Sequence, residues 1–190
     1  MKLINKIKKL KKLKRKLVCL PAYSKPTGKI LDRYCDILLV GDSLATAFYG
    51  MKNTKAIDLE TMINHAISVK KNSKRSVLVF DMPFKTYRNF KEAKKNIKTV
   101  IKRTNCDAVK LESNGKNFNI IKNLVRSGIP VMGHIGYTPQ YKKKFKVCGM
   151  EKKEEKKLIE EAKKNRKGRG FFFSLRVCSW KSCKKDNKPN

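Results

Sequence analysis

The chain has 190 residues and a formal charge of +33, from 48 Lys and Arg against 15 Asp and Glu. That length suits one domain or a cramped pair, and a 40% hydrophobic fraction argues against a wholly disordered polycation. No apolar run approaches the roughly 18 residues of a membrane span, and Met1–Lys16 has no uninterrupted apolar core or small-residue cleavage site, so a secretory signal is not expected.

In chain order, Met1–Leu17 places Leu3, Ile7, Leu10, Leu13 and Leu17 on one stripe and reads as a basic amphipathic helix. Such a helix can cover one end of a fold or contact another subunit; lying on a membrane surface is its less expected use. Five apolar runs follow and read as buried strands: Lys16–Ser24, Asp36–Ser43, Ser76–Phe84, Cys106–Ser113 and Ile129–Tyr137. Leu59–Lys71, Phe90–Arg103, Phe118–Ser127 and Glu151–Lys164 carry a helical period. Asn89 with Glu92 forms a capping-box pattern, Thr138-Pro139 resembles a helix start, and Ser127-Gly128 a helix stop. Strands alternating with helices predict a parallel α/β architecture.

The polar residues narrow that expectation. Asp42 and Ser43 end one apolar run, Asp81 another, Lys110 and Glu112 a third, and His134 a fourth. In a (β/α) barrel the C-terminal strand ends surround one mouth, where the active site lies; in an open doubly wound sheet they form a row. No Gly-x-Gly-x-x-Gly run follows the first strand and no Walker A loop is present, which counts against a nucleotide site. Three carboxylates gathered without a cation would repel, and a magnesium ion resolves that. Lys110, two residues before Glu112, shares its face of the strand and can hold a substrate carboxylate or a developing enolate oxygen. The bland alternative is that each acid caps a helix or makes a surface ion pair. His134 can donate to substrate or serve as a hydrogen-bonded core residue, and His65, inside a helical run, reads as packing.

Residues 1–16 carry nine basic and no acidic groups, and residues 166–190 carry eight basic and one acidic. A charge this high predicts salt-sensitive, non-specific binding to polyanions such as nucleic acid. Lys, Asn and Ile also share AT-rich codons, so genome composition accounts for much of the excess without a function. The six cysteines form no Cys-x-x-Cys pair and have only two His beside them, which argues against structural zinc and fits buried thiols in a reducing cytoplasm.

The runs Val40-Gly41-Asp42-Ser43-Leu44, Tyr49-Gly50, Asp81-Met82-Pro83-Phe84, Val109-Lys110-Leu111-Glu112 and Pro130 through Gln140 closely resemble the ketopantoate hydroxymethyltransferase family, in family order and spacing from about residue 17 to 165. Ala22-Tyr23 fits its first strand, with Ser24 where an Asp is usual. The resemblance implies an α/β fold, a (β/α)8 TIM barrel of the phosphoenolpyruvate-mutase type, here incomplete at about five to six βα units. The implied reaction transfers a hydroxymethyl group from 5,10-methylenetetrahydrofolate to 3-methyl-2-oxobutanoate, a step of pantothenate synthesis, with Mg2+. Asp42, Asp81 and Glu112 would be the magnesium positions. Asp42, Ser43, Asp81 and Lys110 would meet the ketoacid, with His134 beside them as an auxiliary. The family is also expected to form homo-oligomers, decamers in particular.

The family's general base is a Glu in a Leu-Glu-Cys motif of the sixth strand, and Val177 stands at its position. Three segments are therefore expected: a basic helix over 1–16, a partial barrel over 17–165 and a basic non-family tail over 166–190. Weak activity or an inactive remnant is expected, since a complete barrel takes about 250 residues. A basic nucleic-acid-binding module and a non-catalytic member of a barrel oligomer are the alternatives. The tail also reads as a one-base frame shift. AAA GCA GGG GCT TT encodes the family's Lys-Ala-Gly-Ala-Phe, and one inserted G turns it into the Lys-Gly-Arg-Gly-Phe found at 167–171. The nucleotide sequence tests this, since the other frame should encode the remaining strands, and an early stop codon there would refute it.

Overall fold

The computed structural model describes residues 15–113, 115, 117–142, 144–167 and 172–176, with Asn5, Lys9 and Leu10; side chains are described as far as residue 163. Most of the expected Met1–Leu17 helix, the 168–171 run and the tail from Val177 onward lie outside the described residues. The chain divides into two compact units, Met1–Lys110 and Leu111–Asn190.

The first unit runs β1 (Cys19–Pro21), α1 (Lys25–Leu31), β2 (Ile37–Val40), α2 (Leu44–Ala47), α3 (Leu59–Lys70), β3 (Val77–Asp81) and α4 (Phe90–Thr104), then enters β4 (Ala108–Glu112). Its strands pair in parallel and in sequence, with Ile37 opposite Val77 and Asp81 opposite Lys110. Every residue of β3 and β4 is buried. Parallel strands joined by crossover helices are covered on both faces, so they read as continuous apolar runs. That is why a charge at a strand end stands out.

Local chemistry fixes the helices. Asn89 caps α4 by accepting the Glu92 N–H at 2.9 Å, as its spacing predicted, while the Glu92 carboxylate accepts the Arg88 N–H at 3.0 Å. Helix α1 is not predicted by the helical period, which after Leu17 resumes only at Leu59. It forms because Ser24 and Thr27 make a capping box and because it lies against α3. A Cβ on Gly28 would come within 3.0 Å of the Val69 carbonyl and 3.2 Å of its side chain, so only glycine permits that approach.

Asp32, which ends α1, accepts three consecutive backbone N–H groups, from Lys74, Arg75 and Ser76, at 2.8–3.1 Å. Partial burial pushes its carboxyl up, but those bonds outweigh the push and hold it below the usual range. A depressed carboxyl stabilises the fold above its unfolded pKa and loses that contribution as pH falls. Urea unfolding should therefore show stability dropping below about pH 4. Asp32→Ala should cost about 1–2 kcal/mol at neutral pH and flatten that dependence.

The second unit holds the end of β4, α5 (Phe118–Arg126), β5 (Val131–Gly136), α6 (Lys152–Lys167) and β6 (Phe172–Arg176). Strand β6 pairs in parallel with β5, Met132 opposite Phe172 and Gly136 opposite Arg176. The stretch that reads as non-family tail thus contributes a sixth strand. Gly128, at a φ of +81°, ends α5 as the Ser127-Gly128 pair predicted. Thr138-Pro139 opens a single turn and no helix: Tyr141 and Lys142 both donate to the Thr138 carbonyl, at 3.0 and 2.9 Å. The Gln140 N–H is drawn instead to Glu112, and no apolar period follows to bury a helix face. Among the described residues no helix is long and apolar enough to cross a membrane.

Candidate active site

In the first unit the site is built on the ends of β2 and β3 and on the middle of β4. Asp42 follows β2, Asp81 closes β3, and Lys110 is its register partner on β4. All three are nearly inaccessible, at 1%, 1% and 4% exposure. The Lys110 ammonium donates to Asp81 Oδ2 at 2.5 Å, and the Asp42 N–H approaches the same oxygen at 3.4 Å. Burial pushes the Asp81 carboxyl up to about 7, with the Lys110 ammonium pulling it back and the Asp42 charge adding to the rise.

Gly41 leaves room beside this pair: a Cβ there would lie 3.1 Å from Ser43 Oγ and 3.8 Å from Asp81 Oδ2. Ser43 occupies the N-cap position of α2, yet its side chain makes no capping bond. Its hydroxyl pairs instead with the Tyr23 hydroxyl at 2.8 Å. Periodicity could not have found Tyr23, since the link is tertiary.

The second unit carries its own buried cluster. Glu112 and His134 are both 0% exposed. Glu112 Oε2 accepts the Gln140 N–H at 3.0 Å, and Oε1 lies 3.3 Å from His134 Nδ1. The Glu112 carbonyl accepts from Asn117 Nδ2 at 2.6 Å, and the Ser113 N–H donates to the His134 carbonyl at 2.7 Å. Sequence reading picked out Glu112 and His134 but missed Gln140, which acts through its backbone, and Asn117.

A divalent ion fits the first-unit carboxylates. Asp81 Oδ1 is buried without a hydrogen-bond partner among the described residues, as an oxygen reserved for a cation would be, and the missing Cβ of Gly41 keeps the space beside Asp81 open. Among the described residues no three His, Cys, Asp or Glu side chains are grouped as a complete ligand set.

Solved structures place this architecture. A phosphonopyruvate hydrolase in complex with oxalate and Mg++ superposes with a TM-score of 0.67 at 8% identity, over 86% of this chain and 59% of that one. A 2,3-dimethylmalate lyase, a member of the PEP mutase/isocitrate lyase superfamily, gives 0.67 at 12% identity over 97% and 65%. At such identities the likeness concerns the fold alone: an incomplete TIM barrel of the phosphoenolpyruvate-mutase type.

The family model described as ketopantoate hydroxymethyltransferase matches residues 2–176, and the chain belongs to that family. The 3-methyl-2-oxobutanoate hydroxymethyltransferase of Pelagibacter ubique (strain HTCC1062) is 48% identical over 162 residues, 85% of this chain and 62% of the relative. That of Campylobacter curvus (strain 525.92) is 40% identical over 175 residues, 90% of this chain and 65% of the relative. The chain thus spans less than two thirds of the length of these relatives.

Proposed function

We propose that the first-unit site binds 3-methyl-2-oxobutanoate with Mg2+, as the ketoacid half of a hydroxymethyl transfer from 5,10-methylenetetrahydrofolate. What supports this is the buried Asp81–Lys110 pair on adjacent strands, in a chain of this family. A buried ion pair costs several kcal/mol in desolvation, which a surface salt bridge avoids, so its burial suits a binding role. Asp42 and Asp81 would hold the ion, which when bound supplies Lewis-acid polarisation of a keto group.

The chain's own groups do the rest. Lys110 sets a positive charge beside Asp81, where it would meet a carboxylate or a developing enolate oxygen. Ser43 offers a hydroxyl to the ketoacid, and Asp81 keeps the ammonium oriented. In the second unit the Glu112 carboxylate, 3.3 Å from His134 Nδ1, would help orient an imidazole able to exchange a proton.

Because Val177 stands where the resemblance places the general base, binding is the decisive readout and turnover is expected to be weak. Calorimetry of the ketoacid with and without magnesium tests the reading. Binding that requires the metal is expected; no heat under either condition would overturn it.

A further inference from the structure

We infer that His65, which sequence reading assigned to packing, is a positioning residue that sets Ser43 through Tyr23. The inference rests on the proposed ketoacid site, in which Ser43 meets substrate. His65 lies on α3, beside the buried apolar stripe of Met62, Ile63, Ala66 and Val69. A ring there for bulk alone needs no partner, yet this one uses both nitrogens. Nδ1 meets the Tyr23 carbonyl at 2.5 Å, forty-two positions away in the chain, and Nε2 meets the Tyr49 hydroxyl at 2.8 Å. A carbonyl can only accept, so Nδ1 carries the proton; in the neutral ring Nε2 then accepts from Tyr49.

The ring plane is fixed as well. Phe48 and Tyr49 stand edge-on to it, with centroids 5.5 and 5.7 Å away.

What the imidazole holds is the point where the chain leaves β1. The Ala22 N–H still donates to the Leu39 carbonyl at 3.0 Å, and Ser24 already caps α1. Tyr23 sits between ladder and helix, and the His65 ring takes its carbonyl. The Tyr23 hydroxyl in turn bonds Ser43 Oγ at 2.8 Å, and Ser43 has no capping bond to fix its rotamer. One series of contacts, Tyr49 to His65 to Tyr23 to Ser43, therefore aims the Ser43 hydroxyl.

The test combines structure with a double-mutant cycle. His65→Phe keeps the ring and its aromatic contacts but removes both nitrogens. A crystal structure of this variant should show the Tyr23–Ser43 bond opened beyond hydrogen-bond reach; a bond unchanged at 2.8 Å would overturn the inference. In magnesium–ketoacid calorimetry, His65→Phe and Tyr23→Phe should each weaken binding about five- to tenfold, the worth of one positioned hydrogen bond. The double variant should be no worse than either single, and His65→Asn, which restores a donor, should recover to within about twofold of the parent.

Additive losses in the cycle would assign His65 a merely structural role. Should His65→Phe not fold, Tyr49→Phe removes only the exposed partner of Nε2 and should weaken binding about two- to threefold; unaltered affinity there would count against the series. If the parent chain binds no ketoacid, the proposed function fails, and the Tyr23–Ser43 distance in His65→Phe still decides this inference.

Discussion

Replacing Asp81 with alanine is expected to cost at least about a hundredfold in magnesium-dependent ketoacid binding, the upper end of what the loss of outer-shell metal partners does. It should also destabilise the first unit by about 3–5 kcal/mol, as breaking a buried ion pair does. The two effects separate in a second variant. Asp81→Ala combined with Lys110→Met removes both charges from a site only 1% and 4% exposed, so the stability loss should shrink to about 1–2 kcal/mol while binding stays lost. Urea unfolding reads the first quantity and calorimetry the second. If Asp81→Ala bound the ketoacid like the parent, Asp81 would be a structural partner of Lys110 and the site would have to be sought elsewhere. If the double variant regained binding, the carboxylate and the ammonium would be dispensable together, which no magnesium-assisted reading allows.

The legible part of this molecule is what one-dimensional physics controls. A parallel strand buried on both faces must be apolar along its length, so Asp81 at the end of Val77–Asp81 and Lys110 within Ala108–Glu112 stand out as charges in apolar strands. Likewise Asn89 and Gly128 marked helix ends because their roles are local. The unread part depends on partners far along the chain. Helix α1 gains its place from the Gly28–Val69 approach, and Asp32 from backbone amides more than forty positions on. His65 has the spacing of a packing residue, and only the fold reveals the carbonyl and hydroxyl beside its nitrogens. Thr138-Pro139 misled in the opposite direction, since its start signal is correct but the following amide is claimed by Glu112.

Glu112 carries the other large expected effect. Its two oxygens face different duties, Oε2 the Gln140 N–H and Oε1 the His134 ring, and both it and His134 are inaccessible to solvent. Glu112→Ala takes the carboxylate from a buried amide and a buried imidazole at once, and should cost about 3–4 kcal/mol in the second unit. Glu112→Gln keeps an acceptor for one of them and should cost about half as much, since a neutral oxygen bonds roughly half as strongly as a charged one. Metal dependence separates this supporting role from that of a ligand. As a support for His134, Glu112→Gln should leave the magnesium concentration needed for half-maximal ketoacid binding within about threefold of the parent, well short of the 10–100-fold that losing a metal-tuning contact costs. A rise as large as that produced by Asp81→Ala would instead give Glu112 a direct role in metal binding.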